Sequence, residues 1–443
     1  MGSLHPAARR LLAIVAASAT ATAGMAFLGS PALAETEDDY IVVLKDSVAD
    51  VEDIAADHHE EFDVEETSTY SEAISGYAAS MTAADAEQLG DDPAVAYVAL
   101  DRQFTLAAQK TPVSVTRTGA DQSSAKAGDG AGDVDVNIAV IDTGVDATHP
   151  DLNVRGGVDC SSGSAVDVPA PVDVMGHGTS VAGVAAARDN DLGVVGMAPG
   201  APIWSVRVLS DAGTISLSSL ICAYDWVTGT RTDNDADNDI AVANVSIAGP
   251  GTDDGACGSE SGDPMHAAIC RSVEAGVTYV VAAGNGATDM AGVVPAAYDE
   301  VLTATAIGDF DGRPGGEASP VCLGQDVSAY ASDDRPASFS NFATQGDDLE
   351  HTVAGPGVCV ETTARGGGTA SPHGTSFSSP AVAGTVALCL NQGTCTGSVA
   401  EVMDSFVEAT EQYNNDNPDH GYEGDPQRPG SIYYGHLIRG SLF

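Results

Sequence analysis

Lysine is almost absent from the larger part of this 443-residue chain. Between Thr111 and the C-terminus the only lysine is Lys126, and the whole chain has 17 lysine and arginine residues against 64 aspartate and glutamate residues, a formal net charge of -47. Proteins that bind nucleic acid or anionic membranes need basic residues to neutralise phosphate, so this charge argues against both classes of partner. Such an acidic surface favours solubility, and adaptation to high salt is a second hypothesis.

Long apolar runs are also missing, with one exception at the N-terminus. There, Arg9 and Arg10 precede the run LLAIVAASATATAGMAFL, and the small residues Ala32 and Ala34 follow it. A basic segment, an apolar run and an A-x-A site are typical of a secretory signal peptide that is removed on export. We therefore expect residues 1–34 to be a signal, and the mature protein to be secreted, extracellular and without a membrane span.

The cysteines do not form the C-x-x-C pairs that are typical of zinc ribbons and thioredoxin-like redox proteins. The chain has 8 cysteines, an even number, and all of them lie beyond residue 150. In an exported protein this pattern favours disulfides over free thiols. The sequence does not determine their pairing, although Cys257 with Cys270 and Cys389 with Cys395 are close enough in the chain to be natural pairs.

Residues 35–110 have the pattern of a small, acidic α+β domain. A β-rich run at Tyr40–Leu44 is followed by an amphipathic helix at Val48–His59 and by a second β run in AISGYAASM. Next comes a helix with Thr82 as its N-cap and Gly90 as its stop, and AVAYVALDRQFTL closes the segment as a strand. We expect a β-α-β-β-α-β, ferredoxin-like unit that ends in AAQKTP, a linker or processing point.

From residue 111 to residue 443 the composition shifts to glycine, alanine and valine. Five apolar runs are typical of buried parallel strands: VNIAVIDTG, PIWSVRVL, IAVANVSIAG, VTYVVAAGN and VLTATAIG. Helical segments such as GTSVAGVAAA and LSSLICAYDWVT lie between them, and this alternation predicts a doubly wound, mostly parallel α/β sheet. Functional residues of such sheets collect at the carboxyl ends of the strands, where the sequence places Asp142 and Asn285.

The tetrapeptide His-Gly-Thr-Ser occurs twice, at residues 177–180 and 373–376. A hydrolytic serine needs a base that accepts its proton, a carboxylate that orients the base, and donors for the developing oxyanion. His177 and Ser376 each stand at the start of a helix of small residues, and a helix N-terminus favours negative charge. The residues alone leave two pairings open, His177 with Ser376 and a local His373–Ser376 dyad.

Three blocks of the sequence resemble the signature blocks of the subtilisin-like serine proteases. They are VIDTGVDATHPDL with Asp142, GHGTSVAG with His177 and GTSFSSP with Ser376, in the family's order Asp, His, Ser. AAGN resembles the block with the family's oxyanion asparagine, here Asn285. The resemblance covers nearly everything after the expected signal. It implies a subtilisin-like fold in which Ser376 is the nucleophile, His177 the base, Asp142 its orienting carboxylate and Asn285 an oxyanion donor.

The same resemblance implies how the protein binds its peptide substrates and its propeptide. Ser246, Ile247 and Ala248 resemble the strand that pairs with the peptide substrate, and the segment from residue 40 to about residue 106 resembles the family's inhibitory propeptide. We expect protein or peptide substrates, a precursor that cuts itself between Leu106 and Thr111, and a propeptide that then stays bound as an inhibitor. Catalysis would need no cofactor, and we expect a monomer.

The chain departs from the family's pattern close to the serine. Phe377 and Ser378 stand where the family commonly has Met and Ala, and Ala381 follows Pro380 where His is usual. Ala248 replaces a common Gly in the substrate strand. None of these positions belongs to the triad, so they bear on substrate preference and packing. We expect Pro380 to lie in the first turns of its helix, where its missing N–H costs little.

Two other functional classes make different demands on the sequence. An α/β-hydrolase esterase needs a G-x-S-x-G motif and the order Ser, Asp, His, whereas GTSFS lacks the second glycine and the order here differs. A catalytically silent binding protein on this fold would be expected to have lost a triad residue, and none is lost.

A structural calcium ion is a further expectation. The segment TDNDADND spaces its acidic residues as the start of a calcium loop does, at Asp233, Asp235, Asp237 and Asp239. Asn238 replaces the turn glycine of such a loop, so a solvated acidic loop is the alternative. The segment GDFDGRPGGE is a second candidate. The family often binds structural calcium, which the resemblance implies without locating the site.

Overall fold

The computed structural model describes residues 37–443 except 46, 63, 102–108, 170, 345 and 423–431. The described residues form two compact units, 37–101 and 109–443. The expected signal, residues 1–34, lies outside the described residues, as do residues 106–108 of the expected processing region.

The first unit is a four-stranded antiparallel sheet with two helices. Its elements are β1 Glu37–Leu44, α1 Val51–Phe62, β2 Glu65–Tyr70, β3 Gly76–Thr82, α2 Ala83–Leu89 and β4 Val95–Leu100. The strand order β2-β3-β1-β4 is the predicted ferredoxin-like arrangement. Thr82 caps α2 as predicted, because its hydroxyl accepts a hydrogen bond from the Asp85 N–H at 3.2 Å.

The second unit is built on a ten-stranded sheet that is mostly parallel. Along the chain its strands are β5 Ile138–Asp142, β6 Val154–Asp159, β7 Val166–Asp167, β8 Ile203–Arg207, β9 Val242–Val245, β10 Gly249–Pro250, β11 Thr278–Ala282, β12 Val293–Val294, β13 Leu302–Gly308, β14 Val321–Cys322, β15 Gln325–Asp326, β16 Arg335–Pro336, β17 Thr352–Val358, β18 Thr362–Thr363, β19 Thr369–Ala370 and β20 His436–Leu437. The large sheet has the order β20-β17-β13-β11-β9-β5-β8-β6-β7, with β16 beside β13. All five predicted runs are strands of it.

Helices cover both faces of this sheet. They are α3 Val113–Thr118, α4 His177–Ala186, α5 Leu217–Thr230, α6 Pro264–Glu274, α7 Gly346–Glu350, α8 Thr375–Gln392 and α9 Val399–Asp416. Alternate residues of β5 enter two separate cores: Ile138 and Val140 pack with α4, α8 and α9, whereas Ala139 and Ile141 pack with α5 and α6. Burial on both faces explains why a central strand such as β5 is apolar on both sides.

Three neighbouring strands bring the candidate residues to one edge of the sheet. The order β11-β9-β5 places these strands side by side and parallel. Asp142 is the last residue of β5, Ser246 follows β9, and Asn285 lies shortly after β11. Their carboxyl ends therefore meet at the edge where open α/β sheets bind ligands.

Four disulfides join the cysteines of the second unit. The two predicted pairs, Cys257–Cys270 and Cys389–Cys395, are present, together with Cys160–Cys222 and Cys322–Cys359. Among the described residues, none of the helices combines the length and the apolar character needed to cross a bilayer.

Close packing of α4 against the end of β5 depends on a glycine. Gly178 donates its N–H to Thr143 Oγ1 at 2.9 Å. A Cβ atom at residue 178 would lie 2.1 Å from the carbonyl oxygen of Gly144 and 3.1 Å from Asp142 Cβ. A side chain there would push the start of α4 away from the strand.

We therefore predict that Gly178→Ala destabilises the protein. Overpacking a tight contact costs about 1–3 kcal/mol of unfolding free energy, and urea unfolding and the melting temperature measure the loss. The matched control is Gly229→Ala in α5, where an added Cβ meets no atom within 4 Å. That variant should gain up to about 1 kcal/mol, because alanine favours helix more than glycine does. Equal effects of the two substitutions would contradict the close packing.

Candidate active site

The two copies of the tetrapeptide enter their helices at different points. α4 begins at His177, the first residue of its copy, after Gly176 with φ 100°. α8 begins at Thr375, the third residue of its copy, after Gly374 with φ 142°. Glycine adopts these positive φ angles without the strain that a side chain would bring. The two helices therefore begin two residues apart within the tetrapeptide. As a result, His177 of the first copy and Ser376 of the second copy lie at helix starts.

The remaining histidine and serine have structural contacts. Ser180 is buried in α4 and donates its hydroxyl to the carbonyl oxygen of Thr363 at 2.8 Å. His373 precedes α8, and its Nδ1 accepts a hydrogen bond from the Cys359 N–H at 2.9 Å. Its ring stacks on Tyr330 with 4.8 Å between the centroids, and burial lowers its pKa. These contacts favour His177, rather than His373, as the histidine of the site.

The imidazole of His177 lies against the carboxylate of Asp142. Its Nδ1 is 2.8 Å from Oδ1 and 2.9 Å from Oδ2 of that residue. Asp142 is 2% exposed, and its Oδ1 also accepts the Thr143 N–H at 2.7 Å. A carboxylate can only accept here, so Nδ1 carries the proton and Nε2 is left to act as a base.

Asp173, which the sequence did not indicate, organises the segment before α4. Its Oδ1 accepts hydrogen bonds from Thr143 Oγ1 at 2.7 Å, the Met175 N–H at 3.1 Å and the Gly176 N–H at 2.7 Å. Its Oδ2 accepts from the N–H and the hydroxyl of Thr179 at 3.0 and 2.5 Å. This 1% exposed carboxylate therefore ties the end of β5 to the start of α4.

Two carboxylates control the protonation of His177. Burial acts to lower its pKa, but the charge and hydrogen bond of Asp142 act in the opposite direction, and the charge of Asp173 adds to them. The result is a pKa raised above the ordinary value of 6.5.

Ser376 and Asn285 meet at the N-terminus of α8. Ser376 is the second residue of that helix, and its Oγ donates to the carbonyl oxygen of Ser246 at 3.4 Å. Asn285 Oδ1 accepts from the N–H and the hydroxyl of Thr375 at 2.9 and 3.0 Å, which fixes its amide. A Cβ atom added to Gly374 would lie 3.6 Å from Asn285 Nδ2 and 3.6 Å from Ser376 N. These two nitrogens therefore face the same small space beside Gly374.

Pro380 lies in the second turn of α8. It is the sixth residue of the helix, where an ordinary residue would donate its N–H to the carbonyl oxygen of Ser376. Ser246 Oγ donates to that oxygen instead, at 2.8 Å. The side chain of Ser246 is buried in this role, whereas Ile247 is half-buried and Ala248 is exposed. Pro380 therefore lies within the first turns of its helix, as predicted, and the Ser246 hydroxyl supplies the hydrogen bond that its missing N–H would have made.

Phe377, one of the departures from the family's pattern, packs beside the site. Its side chain is 4% exposed, and its ring centroid is 5.4 Å from that of His177. The residue after the candidate serine therefore contacts the candidate histidine.

His, Cys, Asp and Glu side chains form three groups among the described residues, and two of these groups share His266. The groups, whose ligand atoms lie within 4.8 Å of one another, are Asp309, Asp311 and Asp333; Asp253, Asp254 and His266; and Cys257, His266, Cys270 and Glu300. The first contains two residues of GDFDGRPGGE.

The predicted calcium loop is arranged differently. Asp233, Asp235 and Asp237 belong to none of these groups of described residues. Asp233 accepts hydrogen bonds from the Asp235 N–H at 2.8 Å and from Asn238 Nδ2 at 2.9 Å, and Asp235 accepts from the Asp237 N–H at 3.2 Å. These internal bonds favour the solvated-loop alternative, and calcium at this loop stays a prediction.

The geometry at this edge of the sheet is that of a serine hydrolase. A buried carboxylate binds an imidazole through Nδ1, and a serine stands at a helix N-terminus beside two nitrogens that can receive an oxyanion.

Comparisons with known proteins agree with this class. The profile of the Subtilase family matches residues 133–423, and that of Peptidase inhibitor I9 matches residues 39–107. Subtilisin E of Bacillus subtilis (strain 168) is 31% identical over 348 residues, 77% of this chain and 76% of the relative. The alkaline protease of Shouchella clausii is 32% identical over 318 residues, 72% and 69% of the two chains. Alkaline elastase YaB of Bacillus sp. (strain YaB) is 32% identical over 305 residues, 69% and 66% of the two chains.

The chain belongs to the subtilase family. It is a subtilisin-like serine endopeptidase with an I9-type propeptide domain in its N-terminal part, and the resemblance, fold class and enzyme class expected from the sequence are confirmed. Subtilases need no cofactor for catalysis.

We predict that His177 titrates above pH 6.5 and that Asp173 contributes to this position. Asp173→Asn removes one negative charge near the imidazole, so the pKa of His177 should fall. An NMR titration of the imidazole in Ser376→Ala protein, which cannot digest itself if Ser376 is the nucleophile, measures both values.

The control for this titration is Asp146→Asn, which removes the same charge from a residue in the loop that follows β5. Asp146 is not among the groups that shift the pKa of His177, so this variant should leave the midpoint in place. A midpoint below 6.5 in the parent, or equal shifts in both variants, would refute the electrostatic account.

Proposed function

We propose that this protein is a secreted endopeptidase, made as a self-processing precursor, that cuts peptide bonds through Ser376, His177 and Asp142. Ser376 Oγ attacks the carbonyl carbon of the scissile bond while His177 Nε2 takes its proton, and the imidazolium then protonates the leaving amine. Asp142 keeps the proton of the resting imidazole on Nδ1 and stabilises the imidazolium. The observation that carries the proposal is the pair of contacts, 2.8 and 2.9 Å, between His177 Nδ1 and the Asp142 carboxylate.

Substrate completes the hydrogen bonds of the triad in this mechanism. Without substrate, Ser376 Oγ makes a long contact of 3.4 Å to the carbonyl oxygen of Ser246. Catalytic hydrogen bonds are often long in a free enzyme and shorten only in the substrate complex. The neighbouring Phe377 ring already contacts His177. Rotation of the Ser376 side chain toward His177 brings the serine hydroxyl to this histidine, which acts as the base.

The oxyanion is received by Asn285 Nδ2 and the Ser376 N–H. Thr375 donates both its N–H and its hydroxyl to Asn285 Oδ1, so the nitrogen of the amide faces the other way and can donate. The α8 N-terminus adds the favourable field of an 18-residue helix. Because these donors are fixed before the reaction, they stabilise the charge that develops in the transition state.

Peptide substrate pairs with the chain at Ser246, Ile247 and Ala248 as an added strand. The Ser246 side chain points inward and donates a hydrogen bond to the carbonyl oxygen of Ser376. The backbone of this segment is therefore left to bind substrate. Ile247 and Ala248 line a cavity of about 510 Å³, and its other apolar walls include Leu209, Ile215, Leu217, Leu220, Met265 and Val294. This lining favours substrates with an apolar side chain near the cleaved bond.

The first unit acts as an intramolecular inhibitor. One part of its sheet presents apolar side chains to solvent: Tyr97 is 57% exposed and Leu100 is 56% exposed, and both line a surface cavity with Ile41, Val43 and Ile74. An exposed apolar patch of this kind marks a protein-binding surface. Because the propeptide is part of the same chain, it delivers the linker to Ser376 at the high effective concentration of an intramolecular reaction.

Export and the surroundings of the mature enzyme follow from the rest of the chain. The signal-like residues 1–34 and four disulfides suit an oxidising, extracellular compartment. The acidic charge suits protein substrates and not nucleic acid or anionic membranes. We propose a monomer that binds structural calcium at one of its acidic groups.

Self-processing tests this function. Wild-type precursor, purified in the absence of other proteases, should cut itself between Leu106 and Thr111. Ser376→Ala and His177→Ala should accumulate as uncut precursor, because each removes a group that the reaction requires. Gel analysis with N-terminal sequencing of the products measures the outcome.

The serine and the histidine of the repeated tetrapeptide that are not assigned to the triad, Ser180 and His373, supply the matched controls. Ser180→Ala loses one bond to Thr363, and His373→Ala loses the acceptor of the Cys359 N–H, so both should fold and still process. Maturation of purified Ser376→Ala at the wild-type rate would refute the assignment of the nucleophile and of self-processing together.

A further inference from the structure

A fully buried histidine that the proposed mechanism does not use lies in α6. His266 is the third residue of that helix, 0% exposed, and its ring stacks on Tyr298 with centroids 4.0 Å apart and planes 2° apart. Tyr298 donates its hydroxyl to Asp263 Oδ2 at 2.5 Å. Tyr298, itself held by this hydrogen bond, therefore fixes one face of the imidazole.

Each ring nitrogen of His266 faces carboxylates. Nε2 is 2.8 Å from Glu300 Oε2, a hydrogen bond in which the ring donates. Nδ1 has no hydrogen-bond partner among the described residues, yet it is 3.5 Å from Asp254 Oδ1 and 3.7 Å from Asp253 Oδ1. With the proton on Nε2, the lone pair of Nδ1 points toward two negatively charged groups, an unfavourable arrangement unless a cation lies between them.

The separations match those between ligands of a tetrahedral metal ion. Zinc is bound by nitrogen at about 2.0–2.1 Å and by carboxylate oxygen at about 2.0–2.2 Å, which separates two tetrahedral ligands by about 3.3–3.5 Å. The distances from Nδ1 to Asp254 and Asp253, 3.5 and 3.7 Å, lie at or just beyond this range. The three ligand atoms lie within 4.8 Å of one another.

The residues that form hydrogen bonds with these three side chains are also typical of a metal site. Metal-binding histidines usually donate their second ring N–H to a carboxylate, as His266 does to Glu300. The Asp254 carboxylate accepts N–H groups of Ala256, Gly258 and Ser261 at 2.9, 2.9 and 2.8 Å, which hold it in place. Asp253 accepts the Gly255 N–H at 2.5 Å and the Asp299 N–H at 3.0 Å.

A disulfide ties the two ligand-bearing segments together. Cys257, in the loop that carries both aspartates, is bonded to Cys270, one helical turn after His266 in α6. This bond removes both sulfurs as thiolate ligands, so the donor set is one imidazole nitrogen and two carboxylate oxygens. Calcium prefers six to eight oxygens, whereas zinc accepts a set of three with water in the fourth position. The aspartate side chains are 17% and 9% exposed, which lets water reach that position.

We propose that Asp253, Asp254 and His266 form a binding site for Zn²⁺ or a similar divalent transition-metal ion, with Glu300 as the positioning residue behind His266. The site lies directly behind the apolar cavity, because Asp263 and Met265, which precede His266, line that cavity. A bound ion therefore stiffens the wall of the cavity at the start of α6 and stabilises the fold.

Metal binding to the full-length Ser376→Ala precursor tests this proposal without any need for activity. After chelator treatment and dialysis into high salt with excess Mg²⁺, which suppresses general binding to an acidic surface, the protein should take up a single Zn²⁺ and melt at a higher temperature. Co²⁺ in its place should give the visible absorption of a tetrahedral ion. His266→Gln and Asp253→Asn should abolish both signals, and Glu300→Gln should weaken Zn²⁺ binding by roughly tenfold to a hundredfold.

The matched control is Asp404→Asn, which removes the same charge from an exposed position of α9 and should bind Zn²⁺ as the parent does. If His266→Gln does not fold, the more exposed Asp253→Asn decides the outcome. The proposal is wrong if the parent binds no Zn²⁺, if Asp253→Asn binds as tightly as Asp404→Asn, or if only Ca²⁺ raises the melting temperature.

Discussion

The buried carboxylate of Asp142 is the constraint on which the rest of the site depends. A charge that is 2% exposed is costly unless hydrogen bonds and opposite charge surround it. The Thr143 N–H and the His177 imidazole supply these partners, and the imidazole reaches the carboxylate only because α4 starts directly above the end of β5. Gly178 makes that approach possible, since any larger residue would collide with the strand's exit.

The threonines of the repeated tetrapeptide explain why the motif occurs twice. In the first copy Thr179 binds the Asp173 carboxylate, which holds the loop before His177. In the second copy Thr375 binds Asn285 Oδ1, which holds the amide beside Ser376. Each copy therefore anchors a helix start to a polar side chain of a neighbouring loop. The two helices begin two residues apart within the motif, which places a different candidate residue, His177 or Ser376, at each helix start.

The sequence predicts the parts of this structure that depend on local pattern. The five apolar strands, the main helices around them and the Thr82 cap follow from periodicity and capping chemistry. The strand β17 was not predicted, because its sequence TVAGPGV contains two glycines and a proline, which are uncommon in buried strands. Asp173 and the Ser246 bond to the Ser376 carbonyl were missed for another reason: both depend on contacts between segments far apart in the chain. The pairing of His266 with Asp253 and Asp254 is likewise visible only after folding.

We propose that Ser376, activated by His177, is the nucleophile, and that its counterpart Ser180 is a packing residue. Reaction of the processed enzyme with a fluorophosphonate, followed by mass spectrometry of its peptides, tests this most directly, because the reagent bonds covalently to an activated serine. We expect the label on Ser376 in wild-type and Ser180→Ala protein, and none on folded Ser376→Ala or His177→Ala precursor. Label on Ser180, or undiminished labelling of Ser376→Ala, would contradict the account.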